Sequence, residues 1–249
     1  MSDQYIHPKR DVHSKCRLPD DRTACVWRYM DWWKFESLLS ERSLYLCRAD
    51  RLEDRFEGTY SRQQLRDTER YIERVADSDQ VIEERKARAR DRVCTYINSW
   101  CVGETDFDLM WKAYVREPPG VAVKSTVKKL ENACEGAIEK WPLHLSLVDY
   151  FDHAGGQFID YFGTPEVFFR KDLHFRLENE IRIVHCPNIE GCPAEHVWLP
   201  VRLEDLIDSV FVSPKAPEEF AATARRLLDD IGLREVPILF SRDNRVAPI

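Results

Sequence analysis

Phe175-Arg176-Leu177-Glu178-Asn179-Glu180-Ile181-Arg182-Ile183-Val184 is the stretch on which both the fold and the chemistry of this 249-residue chain turn. Read as a strand, it aligns Glu178, Glu180 and Arg182 on one face and Leu177, Ile181 and Ile183 on the other, because side chains alternate with a period of two. Two carboxylates beside a guanidinium on a rigid strand suit acid/base work or the stabilisation of a sugar cation. They equally suit a solvent-facing sheet surface whose charges pair with one another. Both readings stay open on the sequence.

Working outward, Ala24-Cys25-Val26-Trp27-Arg28-Tyr29 and Ser43-Leu44-Tyr45-Leu46-Cys47-Arg48 read as strands around a helix from about Asp31 to Ser40. Asp31 is the expected N-cap, and Phe35, Leu38 and Leu39 mark the apolar stripe. Residues 60–92 hold no Pro or Gly and read as a charged helical region with a break near Asp77-Ser78-Asp79. Its Arg85, Lys86, Arg88, Arg90 and Arg92 are interleaved with Glu83, Glu84 and Asp91, the pattern of a solvated helix with intrahelical pairs. Val93 to Val102 is the clearest strand, rich in β-branched and aromatic residues. A short helix over Phe107–Val115, a Pro118-Pro119-Gly120 turn, a strand at 121–124, a helix over Thr126–Lys140 and a strand near Leu145–Phe151 follow. Val210-Phe211-Val212, the helix Pro217–Ile231 and Val236–Phe240 complete a strand–helix–strand unit. The expectation is an α+β fold: one domain over residues 23–249 behind a polar lead-in at 1–22. Its sheet is mixed and mainly antiparallel, built from strands near 25–29, 43–48, 94–101, 120–124, 145–151 and 178–185.

With 43% hydrophobic and 33% charged residues, the chain is composed like a globular protein. A net charge of -7 gives no global attraction to nucleic acid or an anionic membrane. No apolar run reaches the roughly 18–20 residues that span a bilayer, and the first 22 residues lack the apolar core of a signal peptide. A cytoplasmic location is therefore expected, with neither membrane nor nucleic acid as partner. The eight cysteines are irregularly spaced, without a Cys-x-x-Cys pair, so they read as free thiols. No Gly-x-Ser-x-Gly, P-loop, Gly-x-Gly-x-x-Gly or His-Glu-x-x-His occurs, which removes the ordinary serine hydrolase, NTPase, Rossmann and zinc hydrolase readings.

Several segments together resemble a known family. They are Trp27-Arg28-Tyr29; Leu44 to Asp50 with Asp54-Arg55-Phe56-Glu57-Gly58; Ser99-Trp100-Cys101; Leu109 to Tyr114 with Gly120 to Val123; Lys171 with Glu178 to Arg182; and Val210 to Ala216. In this order, over most of residues 25–241, the chain resembles the uncharacterised bacterial domain of unknown function numbered 2971. It departs from that pattern where Glu53 and Arg55 take the places of an asparagine and a proline. That family implies no activity. A second resemblance concerns chemistry. Arg28, Ser99 and Glu178-x-Glu180 are similar in order to the Arg–Ser–Glu set of ADP-ribosyltransferases, although the usual Ser-x-Ser is reduced to Asn98-Ser99-Trp100. This resemblance implies NAD as cofactor, with Arg28 holding its phosphates, Ser99 supporting the nicotinamide ribose and the second glutamate polarising a ribose hydroxyl. A bidentate guanidinium suits pyrophosphate, and a carboxylate stabilises a developing sugar cation.

The candidate cleft is thus lined by Glu178 and Glu180 as catalytic groups, with Arg28, Ser99, Trp111 and Tyr114 binding the cofactor. For Trp111 and Tyr114, three residues apart on a short helix, core packing is the competing reading. Arg28, between two aromatics, needs an acidic partner or a bound anion, with Glu57 and Glu180 as structural candidates. The acidic loop of Asp50, Glu53, Asp54 and Glu57 offers oxygen ligands to a hard cation, but Arg48, Arg51 and Arg55 interleave, and no metal is expected. Three functions follow: a nucleotide-using transferase, specifically NAD-dependent ADP-ribosyl transfer; a non-catalytic interaction or sensor module with a protein partner in stress response or phage defence; and a metal-dependent nuclease using Asp50, Asp54 and Glu57.

Overall fold

The runs of β-branched and aromatic residues become strands and the amphipathic segments become helices; Asp31, expected to cap the helix that starts at Trp32, makes no side-chain capping bond and instead accepts from the Arg116 and Glu117 N–H groups. The computed structural model describes residues 17–54, 56–75, 78–135, 137, 141–153, 165–187, 194–214 and 216–241. In chain order the elements begin β1 (Cys25–Asp31), α1 (Trp32–Glu41), β2 (Ser43–Arg48), α2 (Arg62–Val75), α3 (Ser78–Val93), β3 (Tyr96–Val102), α4 (Asp108–Tyr114), β4 (Gly120–Thr126) and α5 (Val127–Glu135). They continue β5 (Leu143–Leu147), β6 (Asp149–Phe151), β7 (Arg170–Asp172), β8 (Glu180–His185), β9 (His196–Pro200), α6 (Leu203–Leu206), β10 (Ser209–Val212), α7 (Glu218–Asp230) and β11 (Ile238–Phe240). The fold is α+β with a mixed, mainly antiparallel sheet, as the sequence implies. Among the described residues no helix is long and apolar enough to cross a membrane.

The chain groups into two compact units. One holds residues 19–45, 99–139 and 198–249. In it β1 pairs antiparallel with β4 from Cys25↔Thr126 to Asp31↔Gly120, and β4 pairs antiparallel with β10. The terminal strand–helix–strand unit makes β10 and β11 parallel, Val210↔Ile238 to Val212↔Phe240, because a helix crossover returns the chain in the same direction. Its core is aromatic: Trp27, Tyr29, Met110, Trp111, Val115 and Ala122 are buried together.

The other unit holds residues 1–18, 46–98 and 140–197. Here β8 pairs antiparallel with β5, Leu143↔His185 to Leu147↔Ile181, and also with β3. The short strands β6 and β7 form a separate parallel ribbon, with Tyr150 opposite Lys171. An apolar cluster of Ala49, Ile97, Val167, Phe168, Phe169 and Val184 packs within this unit.

Two local readings need correction. The stretch from Phe175 does not form one strand: Leu173–Glu178 is a 3-10 helix and β8 begins only at Glu180. Asp172 caps that helix by accepting from the His174 N–H, and Asn179 at φ 41° turns the chain into the strand. Asparagine tolerates this left-handed conformation better than most side chains. Leu177, expected to face inward, is exposed as a result. The strand expected near 145–151 is divided into β5 and β6 at Val148. Helix α2 is described to Val75 and α3 from Ser78, so Ser78 and Asp79 of the expected break are helical, while its Asp77, the lead-in through Cys16, Arg55 and Lys215 lie outside the described residues.

Candidate active site: a buried ion network with a titrating edge

The polar face of β8 is not solvated. Glu180 is 2% exposed and Arg182 1%, and every residue of the strand is buried. Charges placed there must be paired, because an isolated buried ion is far too costly to keep. Arg182 donates from Nε to Glu180 Oε2 at 2.6 Å. Its Nη1 and Nη2 reach Glu57 Oε1 and Oε2 at 2.5 and 3.0 Å, a bidentate pair, and Nη1 also donates to the Phe168 carbonyl at 2.7 Å. From the β6–β7 ribbon, Lys171 Nζ donates to Glu180 Oε1 at 2.7 Å and to Glu178 Oε2 at 2.5 Å. The ring of Phe175 lies 4.5 Å from the same ammonium. The Tyr150 hydroxyl accepts from the Glu180 N–H at 2.9 Å.

The turn that delivers Glu57 is built for the purpose. Asp54 Oδ1 accepts from the Phe56 N–H at 2.8 Å, and the Asp54 carbonyl accepts from the Glu57 N–H at 3.1 Å. Gly58 follows at φ 66°, and a Cβ there would stand 2.2 Å from the Phe168 ring. The residue that leaves room for Phe168 thus protects the carbonyl that receives Arg182. In this way Asp54-x-Phe56-Glu57-Gly58 meets Glu178-x-Glu180-x-Arg182, although 125 residues separate Glu57 from Arg182.

Three carboxyls (Glu57, Glu178, Glu180) face two cations (Lys171, Arg182), so the cluster carries one surplus negative charge unless it binds a proton. Burial alone would raise the pKa of Glu180, but Arg182, the hydrogen-bonded contact with Glu178, and Lys171 hold it well below the usual carboxylate range. Burial, the same contact and the Glu180 charge push Glu178 up to about 7 against the pull of Lys171. The two carboxyls therefore share one proton near neutrality, and it resides on Glu178, the more exposed of the pair. Burial works against the Lys171 ammonium and the Arg182 guanidinium, yet Glu180 and its neighbours hold both above their ordinary values.

The other expected site residues belong to the aromatic unit. Arg28 donates from Nη1 to the Ser99 carbonyl at 2.6 Å, so these two do come together, through the serine backbone. Glu57, a candidate partner for Arg28, is engaged by Arg182 instead. Trp111 is 5% exposed, meets Tyr29 edge-on at 5.0 Å and donates from Nε1 to Asp106 Oδ2 at 3.2 Å. Tyr114 packs half-buried against the same cluster. In the acidic loop, Asp50 accepts from Arg48 Nε and Nη2 at 2.6 and 3.2 Å. Asp50, Asp54 and Glu57 thus face different partners, and among the described residues no three His, Cys, Asp or Glu side chains are grouped to hold a metal ion. Lys171 and Tyr150 are the members of the network that sequence patterning missed as site residues. Each sits on a three-residue strand, too short to show a period. No family model, curated protein or solved structure matches this chain.

Proposed function

We propose that the protein is a nucleotide-using transferase, with NAD as donor and ADP-ribosyl transfer as its reaction, in which Glu178 is the catalytic carboxyl. One observation carries the reading. Glu178 stands at the solvent edge of an otherwise buried ion network, and its environment tunes it to titrate near pH 7, where a proton-transfer group is most effective. Glu180 is not available for that role, since both its oxygens are occupied by Lys171 and Arg182; it acts as a positioning residue.

The chemistry divides accordingly. As the glycosidic C–N bond breaks, the bonding electron pair leaves with neutral nicotinamide, and positive charge develops on the ribosyl group. Ionised Glu178 stabilises that charge and then takes the proton that the acceptor loses as its new bond to the sugar forms. Lys171 holds the carboxyl in place, and Arg182 and Lys171 keep Glu180 ionised behind it. Arg28, Ser99, Trp111 and Tyr114 belong to the aromatic unit and carry no part of this reading. Incubating the protein with NAD and measuring nicotinamide release tests the reading. The rate rises through about pH 7, and Glu178→Gln lowers it about 10²–10⁴-fold. A wild-type protein that releases no nicotinamide, or a Glu178→Gln variant that matches it, ends the proposal.

A second reading, a non-catalytic interaction module, is favoured by a different observation: Arg66, Arg70 and Arg74 recur every fourth residue of α2, and all three are exposed. A protein partner that still binds Glu178→Gln but is lost on charge reversal at these three arginines would select it.

A further inference from the structure

The β6–β7 ribbon has two faces of different character. Phe151 and Asp172 oppose each other in register and serve one face, where the Phe151 ring packs at a tilt against His153 with centroids 4.2 Å apart and Asp172 accepts from the His153 N–H. Tyr150 and Lys171 oppose each other on the alternate face, which is the face of the ion network. There the Tyr150 oxygen accepts from the Glu180 N–H, and Lys171 donates to the carboxyls of Glu178 and Glu180. A phenol both accepts and donates. The accepting side of Tyr150 is used, while its hydroxyl hydrogen has no acceptor among the described residues. Burial and the nearby Glu180 charge raise the Tyr150 pKa, so the group keeps that hydrogen throughout the neutral range. A half-buried donor without an acceptor, bordering a titrating carboxyl, is the arrangement expected of a group that meets a ligand.

We infer that Tyr150 is a substrate-binding residue of the same site, donating its hydroxyl hydrogen to a ribose hydroxyl that in turn donates to Glu178. The inference rests on the transferase reading above and deepens it by naming the recognised group. The flanking chemistry selects a neutral hydroxyl. An anionic oxygen would be repelled by ionised Glu178, and an ether oxygen has no hydrogen to give it. A hydroxyl does both, accepting from Tyr150 while its own hydrogen points to the carboxylate. Tyr150 and Glu178 both border Glu180, one through its backbone N–H and the other through its carboxyl. No covalent step is added; the contact orients the sugar and makes its hydroxyl a recognised feature.

The test uses the full-length protein with NAD and with NAD analogues lacking the 2′- or the 3′-hydroxyl of the nicotinamide ribose, following nicotinamide release. Wild type should lose about tenfold or more in kcat/KM when the recognised hydroxyl is removed. Tyr150→Phe should lose about tenfold with NAD itself and discriminate less against that analogue than wild type does, since only the contact with Glu178 is left to lose. A merely structural role for Tyr150 would lower activity on both substrates and preserve the discrimination. Should Tyr150→Phe fail to fold, the wild-type comparison still decides, because a wild type that treats all three substrates alike overturns the assignment. Nicotinamide release with full discrimination retained in Tyr150→Phe overturns it while leaving the transferase reading standing. No release of nicotinamide by wild type overturns both.

Discussion

Around Arg182, three carboxyls and two cations are enclosed with their hydrogen bonds largely satisfied; around Trp111, rings and aliphatic side chains fill the core with few polar atoms. The aromatic core draws on burial and on ring geometry such as the edge-on Tyr29–Trp111 pair at 5.0 Å, contributions that degrade gradually when one member is trimmed. The ionic core responds differently. A buried pair adds little net stability over an apolar replacement of both partners, yet removing one partner strands the other. Such a network is a costly way to fill a core, which makes it a sensible place to look for function.

The sharpest way to break the comparison is Arg182→Met. Glu57 and Glu180 would then be buried without their shared guanidinium, at a cost of about 3–5 kcal/mol read by denaturant unfolding. A loss under about 1 kcal/mol would mean that the network is not sealed from water and that the contrast between the two cores is false.

Next comes the acid response of the same unit. His144 and His185 are held at pKa values of about 4, by burial and, for His144, by the His185 charge. Unfolded histidines titrate near 6.5, so the unfolded chain takes up protons first as pH falls. The stability these rings contribute is complete above about pH 6.5 and is lost between about 6.5 and 4. The scale is about 3 kcal/mol for each histidine before solvent screening. His185→Gln should flatten the stability–pH curve in that window, and an unchanged slope would show that these rings do not control it.

Why the aromatic region was legible and the ionic one only half so is a matter of range. Strands β1, β3 and β4 announce themselves in runs such as Val121-Ala122-Val123, and the β10–α7–β11 unit by its alternation of element types. The set Glu178, Glu180 and Arg182 was also legible as a polar group. Its burial was not, because alternation of polar and apolar residues ordinarily marks a solvated face. What inverts the meaning is Glu57, far away in the chain, and Lys171 on a strand of three residues. The misplaced strand start has a local cause: Arg176-Leu177-Glu178 alternates like a strand, but the Asp172 cap and the left-handed Asn179 commit those residues to a 3-10 turn.

A smaller effect sharpens the division of labour inside the network. The folded-state pKa of Glu178, about 7, lies above the ordinary carboxyl value of 4.5, so its sign is opposite to that of the histidines. The stability it contributes is complete below about pH 4.5 and is lost as pH rises through 7. Glu180, held below 4.5, acts only under that window, where stability falls with acid. Glu178→Gln removes the titration while keeping the shape of the side chain. The variant should gain on wild type by about 3 kcal/mol, before solvent screening, between pH 4.5 and 7 and then hold level, a stabilisation obtained by deleting the proposed catalytic group. Parallel curves would show that the carboxyl does not titrate in that range.

The smallest change probes the aromatic side. The Tyr29 hydroxyl accepts from the Phe107 N–H at 2.9 Å, and its ring abuts Trp27 and Trp111. Tyr29→Phe keeps every ring contact and removes that one oxygen. Phe107 is 49% exposed, so water can reach its freed N–H, and the cost should be about 1 kcal/mol or less in unfolding free energy, with no dependence on pH between 4 and 8. A loss comparable to that of Arg182→Met would place a second polar keystone in this core. In that case the contrast between an ionic and an aromatic interior would give way to two interiors that each hang on a single hydrogen-bonding group.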